Sequence, residues 1–223
     1  MQRDGPAVFD DDRVGREREE LTGWDRVLTD TIYYGLGGVL LLTFPAQWLV
    51  FQTPTIDLEA TAAVWGALVA TILGIGFARG GHLEAIGEWP SLSGRALGSV
   101  GGYCSILTRG VYLCSTFLIA AYGGAVVAIA VASVIGGVNA SGLAAIVGVC
   151  VGAIAVAALP TVLENTHRLA PVRIGYHAFA IITTLQYARP FDFSTGDPAA
   201  ALFAIGLVAA ATVDAVWLLR RSR

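Results

Sequence analysis

The sequence predicts an all-α polytopic membrane bundle with six transmembrane helices and both termini cytoplasmic. Three observations predict it. Of 223 residues, 55% are hydrophobic and only 14% charged, against about 25% charged in an ordinary soluble domain. Mean hydropathy is +0.66. The apolar residues gather into runs of about 20, the length that crosses a hydrocarbon core near 30 Å thick.

Residues 1–26 form a polar, acidic cytoplasmic tail with five Arg and eight Asp or Glu. It has no apolar stretch of the kind a cleaved signal peptide needs. Asp10 to Trp24 reads as a helix capped by Asp10 or Asp11. Residues 27–223 are the membrane domain, with spans over 31–51, 60–78, 110–136, 141–163, 171–188 and 198–219. The fifth is short and contains Arg173 and His177. Arginine-rich connections mark the cytoplasmic side. If 171–188 crosses, the tail, the 79–109 and 164–173 connections and the C-terminal Arg220, Arg221 and Arg223 share one side, leaving Arg189 opposite. The other connections are uncharged or acidic, with Asp57, Glu59, Asp192 and Asp197. Trp24, Tyr33, Tyr34, Trp48, Phe51 and Trp217 stand at span ends, where amphipathic rings favour the headgroup level.

Small residues recur at every fourth position in three spans. Span 2 has Ala62, Gly66, Ala70, Gly74 and Ala78, and span 3 has Ala120, Gly124, Ala128, Ala132 and Gly136. Span 4 has Ala140, Ala144, Gly148 and Gly152. Such a row lies along one helix face and lets two backbones approach closely, so spans 2, 3 and 4 are expected to pack as a central group. Within the 79–109 connection, Ala96–Thr108 is apolar but short, which reads as an interfacial helix or an inward extension of span 3.

All 14 basic residues are Arg. Without Lys there is no retinal Schiff base, no pyridoxal-phosphate aldimine and no Walker A lysine. The acidic, lysine-free composition is halophile-like. Cys104, Cys114 and Cys150 form no Cys-x-x-Cys pair. The three histidines fall near the inner face, and His82, Glu84, Glu164, His167 and His177 are the candidate metal ligands. Glu164 and His167 have the Glu-x-x-His spacing of di-iron bundles, which need two such motifs and two further Glu; here there is one. Asp214 is the carboxylate set well inside a span, and an intramembrane acid is a functional candidate by default. Arg220, Asp30 or a polar group of span 1 or 5 is its expected partner.

Asn139-Ala140-Ser141-Gly142 opens span 4, and Gly81-His82-Leu83 follows span 2. With six spans, these residues resemble rhomboid intramembrane proteases, which use a Gly-x-Ser-Gly serine and a His on a later span. The resemblance implies a serine hydrolase with Ser141 as nucleophile. Asn139 replaces the first Gly of that motif, span 6 carries no His, and His177 falls toward the opposite face.

The reading that follows is a multi-pass protein of the cell membrane acting as a non-enzymatic membrane subunit or scaffold. The alternatives are a small transporter or channel using Asp214, and a membrane enzyme with either a cytoplasmic-face His/Glu metal site or a rhomboid-like serine. The partners expected are membrane lipid and other membrane subunits or further copies of the chain, with no nucleic acid. No cofactor is specified.

Overall fold

A computed structural model describes residues 23–54, 56–79, 83, 100–164, 168–192 and 197–221. Every regular element among them is helical. In chain order these are α1 (Gly23–Asp30), which continues through a π-helical stretch (Thr31–Gly37) into α2 (Gly38–Phe51); α3 (Asp57–Arg79); and α4 (Val100–Leu118), which continues through a second π stretch (Ile119–Gly123) into α5 (Gly124–Ile135). There follow α6 (Ala140–Glu164), α7 (Ala170–Tyr187) and α8 (Pro198–Arg221). Four segments are long and apolar enough to cross a membrane: Asp57–Ala78, Ile106–Ile135, Ala140–Val162 and Pro198–Arg220. Gly35–Phe51 is a shorter apolar helix.

Local chemistry sets the helix ends. α5 stops where Gly136 and Gly137 take φ of +66° and +68°, a region glycine enters without steric penalty. Asn139 then caps α6, its Oδ1 accepting from the backbone N–H of Ser141 (2.9 Å) and Gly142 (3.3 Å). Asp197 caps α8 by accepting from Ala199 N–H at 2.9 Å. Pro198 fills the first helical position, where its missing N–H removes nothing. α7 likewise has a proline in its first turn, Pro171.

The α4–α5 rod occupies the centre and touches helices from all the other rods. Residues Val111 to Leu118 are buried without a break, as expected of a helix ringed by others. The most extensive contact is between α3 and α6, and glycine makes it possible. A Cβ at Gly66 would strike the carbonyl of Ala145, and one at Gly148 the carbonyl of Ala63. One at Gly152 would lie 2.6 Å from the carbonyl oxygen of Ala67. Gly124 meets Ala63 and Val147, and Ala128 packs with Ala63 and Ala144. Gly74 faces Val156; farther along the α5 row, Ala132 is half-buried and Gly136 exposed.

Ala96–Thr108 is in part an extension of span 3, since α4 runs unbroken from Val100. Residues 10–22 of the expected tail helix, Gly81, His82, Glu84 and His167 lie outside the described residues, as do the side chains of Asp30 and Glu164.

Candidate functional site

Three helices bring polar side chains to one buried point. α8 supplies Asp214, α7 supplies Arg173 and His177 four residues apart on one face, and α4 supplies Thr108 and Ser115. All five are buried, with Asp214 1% exposed and Arg173 and His177 each 3%. Arg173 Nη2 donates to Asp214 Oδ1 in a short charge-assisted bond. Thr108 Oγ donates to the same oxygen at 2.7 Å. His177 Nδ1 shares a 2.8 Å hydrogen bond with Ser115 Oγ, and its Nε2 stands 3.5 Å from Asp214 Oδ2.

A second polar layer adjoins the first. Tyr112 and Tyr176 stack with ring centroids 5.6 Å apart. Tyr176 donates its hydroxyl to Thr116 Oγ at 2.8 Å, and Tyr112 donates to the Ala155 carbonyl at 3.0 Å. These bonds join α4 to α7 and to α6. Several polar atoms are left over: among the described residues, Arg173 Nε and Nη1, His177 Nε2 and Asp214 Oδ2 have no hydrogen-bond partner.

The arrangement has definite chemical capacities. Arg173 neutralises Asp214, so the bundle buries a pair and not a lone charge. Ser115, His177 and Asp214 fall in the order of a nucleophile, a base and a carboxylate that orients the base. The match is incomplete, since Ser115 is only 5% exposed and Asp214 is already held by Arg173 and Thr108. Ser141, at the start of α6, is half-buried, while His177 is bonded to Ser115. Among the described residues no group of three or more His, Cys, Asp or Glu is placed to hold a metal ion. Of the five candidate ligands, only the side chain of His177 is described. Arg220 is exposed, and Asp214 meets Arg173 and His177 of α7.

Arg173, Ser115 and Thr108 were not singled out from sequence. One signal was available for Arg173: it stands four residues before His177, hence on the same helix face, within a span that would bury its charge.

A family model described as a domain of unknown function (DUF8215) matches residues 22–166. The chain belongs to this family. The DUF8215 match ends before α7, so it takes in Thr108 and Ser115 but not Arg173, His177 or Asp214. No curated protein and no solved structure matches the chain.

Proposed function

We propose that this chain is a six-span protein of the cell membrane, with both termini cytoplasmic, and that it serves as a non-enzymatic membrane subunit or scaffold. Its inner half would be clasped by Arg173 and Asp214. Two belts of contacts support the fifth span. At one level α7 is tied to α8 by the bond from Arg173 to Asp214, and to α4 by the bond between His177 and Ser115. At the other, Tyr187 stacks on Tyr122, whose hydroxyl lies 3.1 Å from Thr53. From Arg173 to Tyr187 is about 21 Å of helix, most of a core near 30 Å. Trp48 donates to Asp197 at 3.2 Å, joining the end of span 1 to the start of span 6, as neighbours on one face would be.

The observation that carries the scaffold reading is the closure of the charge cluster. Its ion pair joins two helices, and its members are almost wholly shielded from solvent. Purified protein in liposomes should carry no proton or cation flux above that of empty vesicles. A fluorophosphonate probe should leave Ser115 and Ser141 unlabelled. Flux lost in Asp214→Asn with stability unchanged would instead establish transport, and labelling of either serine would establish a hydrolase.

One observation favours transport as the second reading. His177 Nε2 and Asp214 Oδ2 face each other at 3.5 Å, and neither is in a hydrogen bond. The facing of these two atoms is the place in the cluster where a coupled proton would be held.

A further inference from the structure

α6 and α7 follow each other in the chain yet barely touch among the described residues, while α4 packs against both. The gap between them is a groove of about 380 Å³, floored by Tyr112 and Ile119 of α4. Small side chains keep it open on the α6 side, where Ala155 and Ala158 line it. Ile154 and Val172 on its margins are exposed, so the groove opens sideways onto the outside of the bundle.

This groove offers almost nothing to a polar ligand. Arg173 in its wall is 3% exposed and bound to Asp214. Tyr112 and Tyr176 donate their hydroxyl protons to Ala155 and Thr116. The remaining lining residues are all aliphatic. An alkyl chain lying there gains dispersion contact on three sides, where the plain outer surface of a helix gives it one.

Length and charge say which alkyl chain. From Val151 to Val162 the groove follows α6 for about 16 Å. That is half of a hydrocarbon core near 30 Å thick, the depth of one leaflet. Leu169 lines the groove beside the α6–α7 connection, and its chain neighbour Arg168 is exposed. A guanidinium matches a phosphate in geometry and charge, and an arginine at a membrane surface favours anionic lipid.

We propose that the groove between α6 and α7 holds one acyl chain of an anionic phospholipid, with Arg168 meeting its phosphate. The lipid fills the gap the two helices leave. This goes beyond the scaffold reading and does not depend on it, since a transporter with the same gap would hold the same lipid.

The test is native mass spectrometry of the full chain, purified in a maltoside detergent and titrated with dioleoyl phosphatidylglycerol or with dioleoyl phosphatidylcholine. One phosphatidylglycerol per chain should be retained, about fivefold more tightly than phosphatidylcholine, the factor one arginine supplies at an anionic surface. Arg168→Gln should remove that preference. Ala158→Phe, which fills the groove, should weaken retention of both lipids by at least the same factor. Val149→Phe, on the opposite face of the same helix, should weaken neither. The proposal is overturned if no lipid is retained, if the two lipids bind alike, or if Arg168→Gln leaves the preference intact. Equal effects of Ala158→Phe and Val149→Phe overturn it too, because the lipid would then belong to the general annulus. So does displacement of the lipid by free glycerol phosphate, which would make this a phosphate site with no use for the groove. The headgroup comparison needs no groove variant, so it stands even if Ala158→Phe fails to fold.

Discussion

Asp214 is a buried carboxylate in a long apolar helix, and its environment is organised around that fact. A charge at the middle of a span costs about 2.5–3.5 kcal/mol even on the lenient insertion scale. Arg173 and Thr108 meet one of its oxygens, and His177 approaches the other. Removing one member of a buried pair leaves the other uncompensated, at about 3–5 kcal/mol. Asp214→Asn should therefore lower unfolding stability by that amount. Replacing both charges, Arg173→Met with Asp214→Leu, should return it to within about 2 kcal/mol of the parent. Denaturation in mixed micelles checks both, and an Asp214→Asn chain as stable as the parent would dispose of the clasp. Ser115→Ala removes the partner of His177 Nδ1 and should cost about 1–2 kcal/mol, read from the same curves. Asp214 was legible in the sequence because a carboxylate interrupts an apolar run. Its partner was placed no more closely than Arg220, Asp30 or a polar group of span 1 or 5, because Arg173 is 41 residues away and, just past a proline, reads as a loop arginine marking the inner face. His177 read as a metal ligand for a related reason: spacing shows that it shares a face with Arg173, but not that this face meets Ser115.

At the scale of elements, the α3–α6 contact depends on missing side chains. Gly66 and Gly148 bring each helix against the other's backbone, and a backbone cannot step aside as a flexible side chain can. Gly148→Ala should cost about 1–3 kcal/mol by overpacking. Gly206→Ala on α8, whose Cβ would meet nothing within 4 Å, should stabilise by about 0.5 kcal/mol from helix propensity. Thermal unfolding of the two variants side by side measures the difference, and equal effects would mean that the α3–α6 interface is looser than described. The apolar runs that became α3, α5, α6 and α8 were readable from length and hydropathy. The start of α4 was ambiguous because Gly101, Gly102 and Arg109 interrupt its apolar pattern, although the helix continues through them. The π stretches at Thr31–Gly37 and Ile119–Gly123 had no signal in the sequence.

For the whole molecule, the unresolved choice in the sequence was whether 171–188 crosses, because Arg173 lowers the mean hydropathy of a short segment. Arginine asymmetry favoured crossing, and the tie of α7 to Ser115 and Asp214 at one level and Tyr122 at the other supports it through packing. The six-span account rests on this helix more than on any other. Without it the arginines of the C-terminus would face outward, against the charge bias that orients membrane proteins. The direct measurement is cysteine accessibility in sealed membrane vesicles of known orientation. Cys104, Cys114 and Cys150 are first replaced by Ala, and single cysteines are then placed at Thr195, Asp4 and Ser222. The account predicts that an impermeant maleimide applied from outside labels only the Thr195→Cys chain. The other two should react only when the inner face is exposed. Labelling of Thr195→Cys from the same side as Asp4→Cys would contradict it.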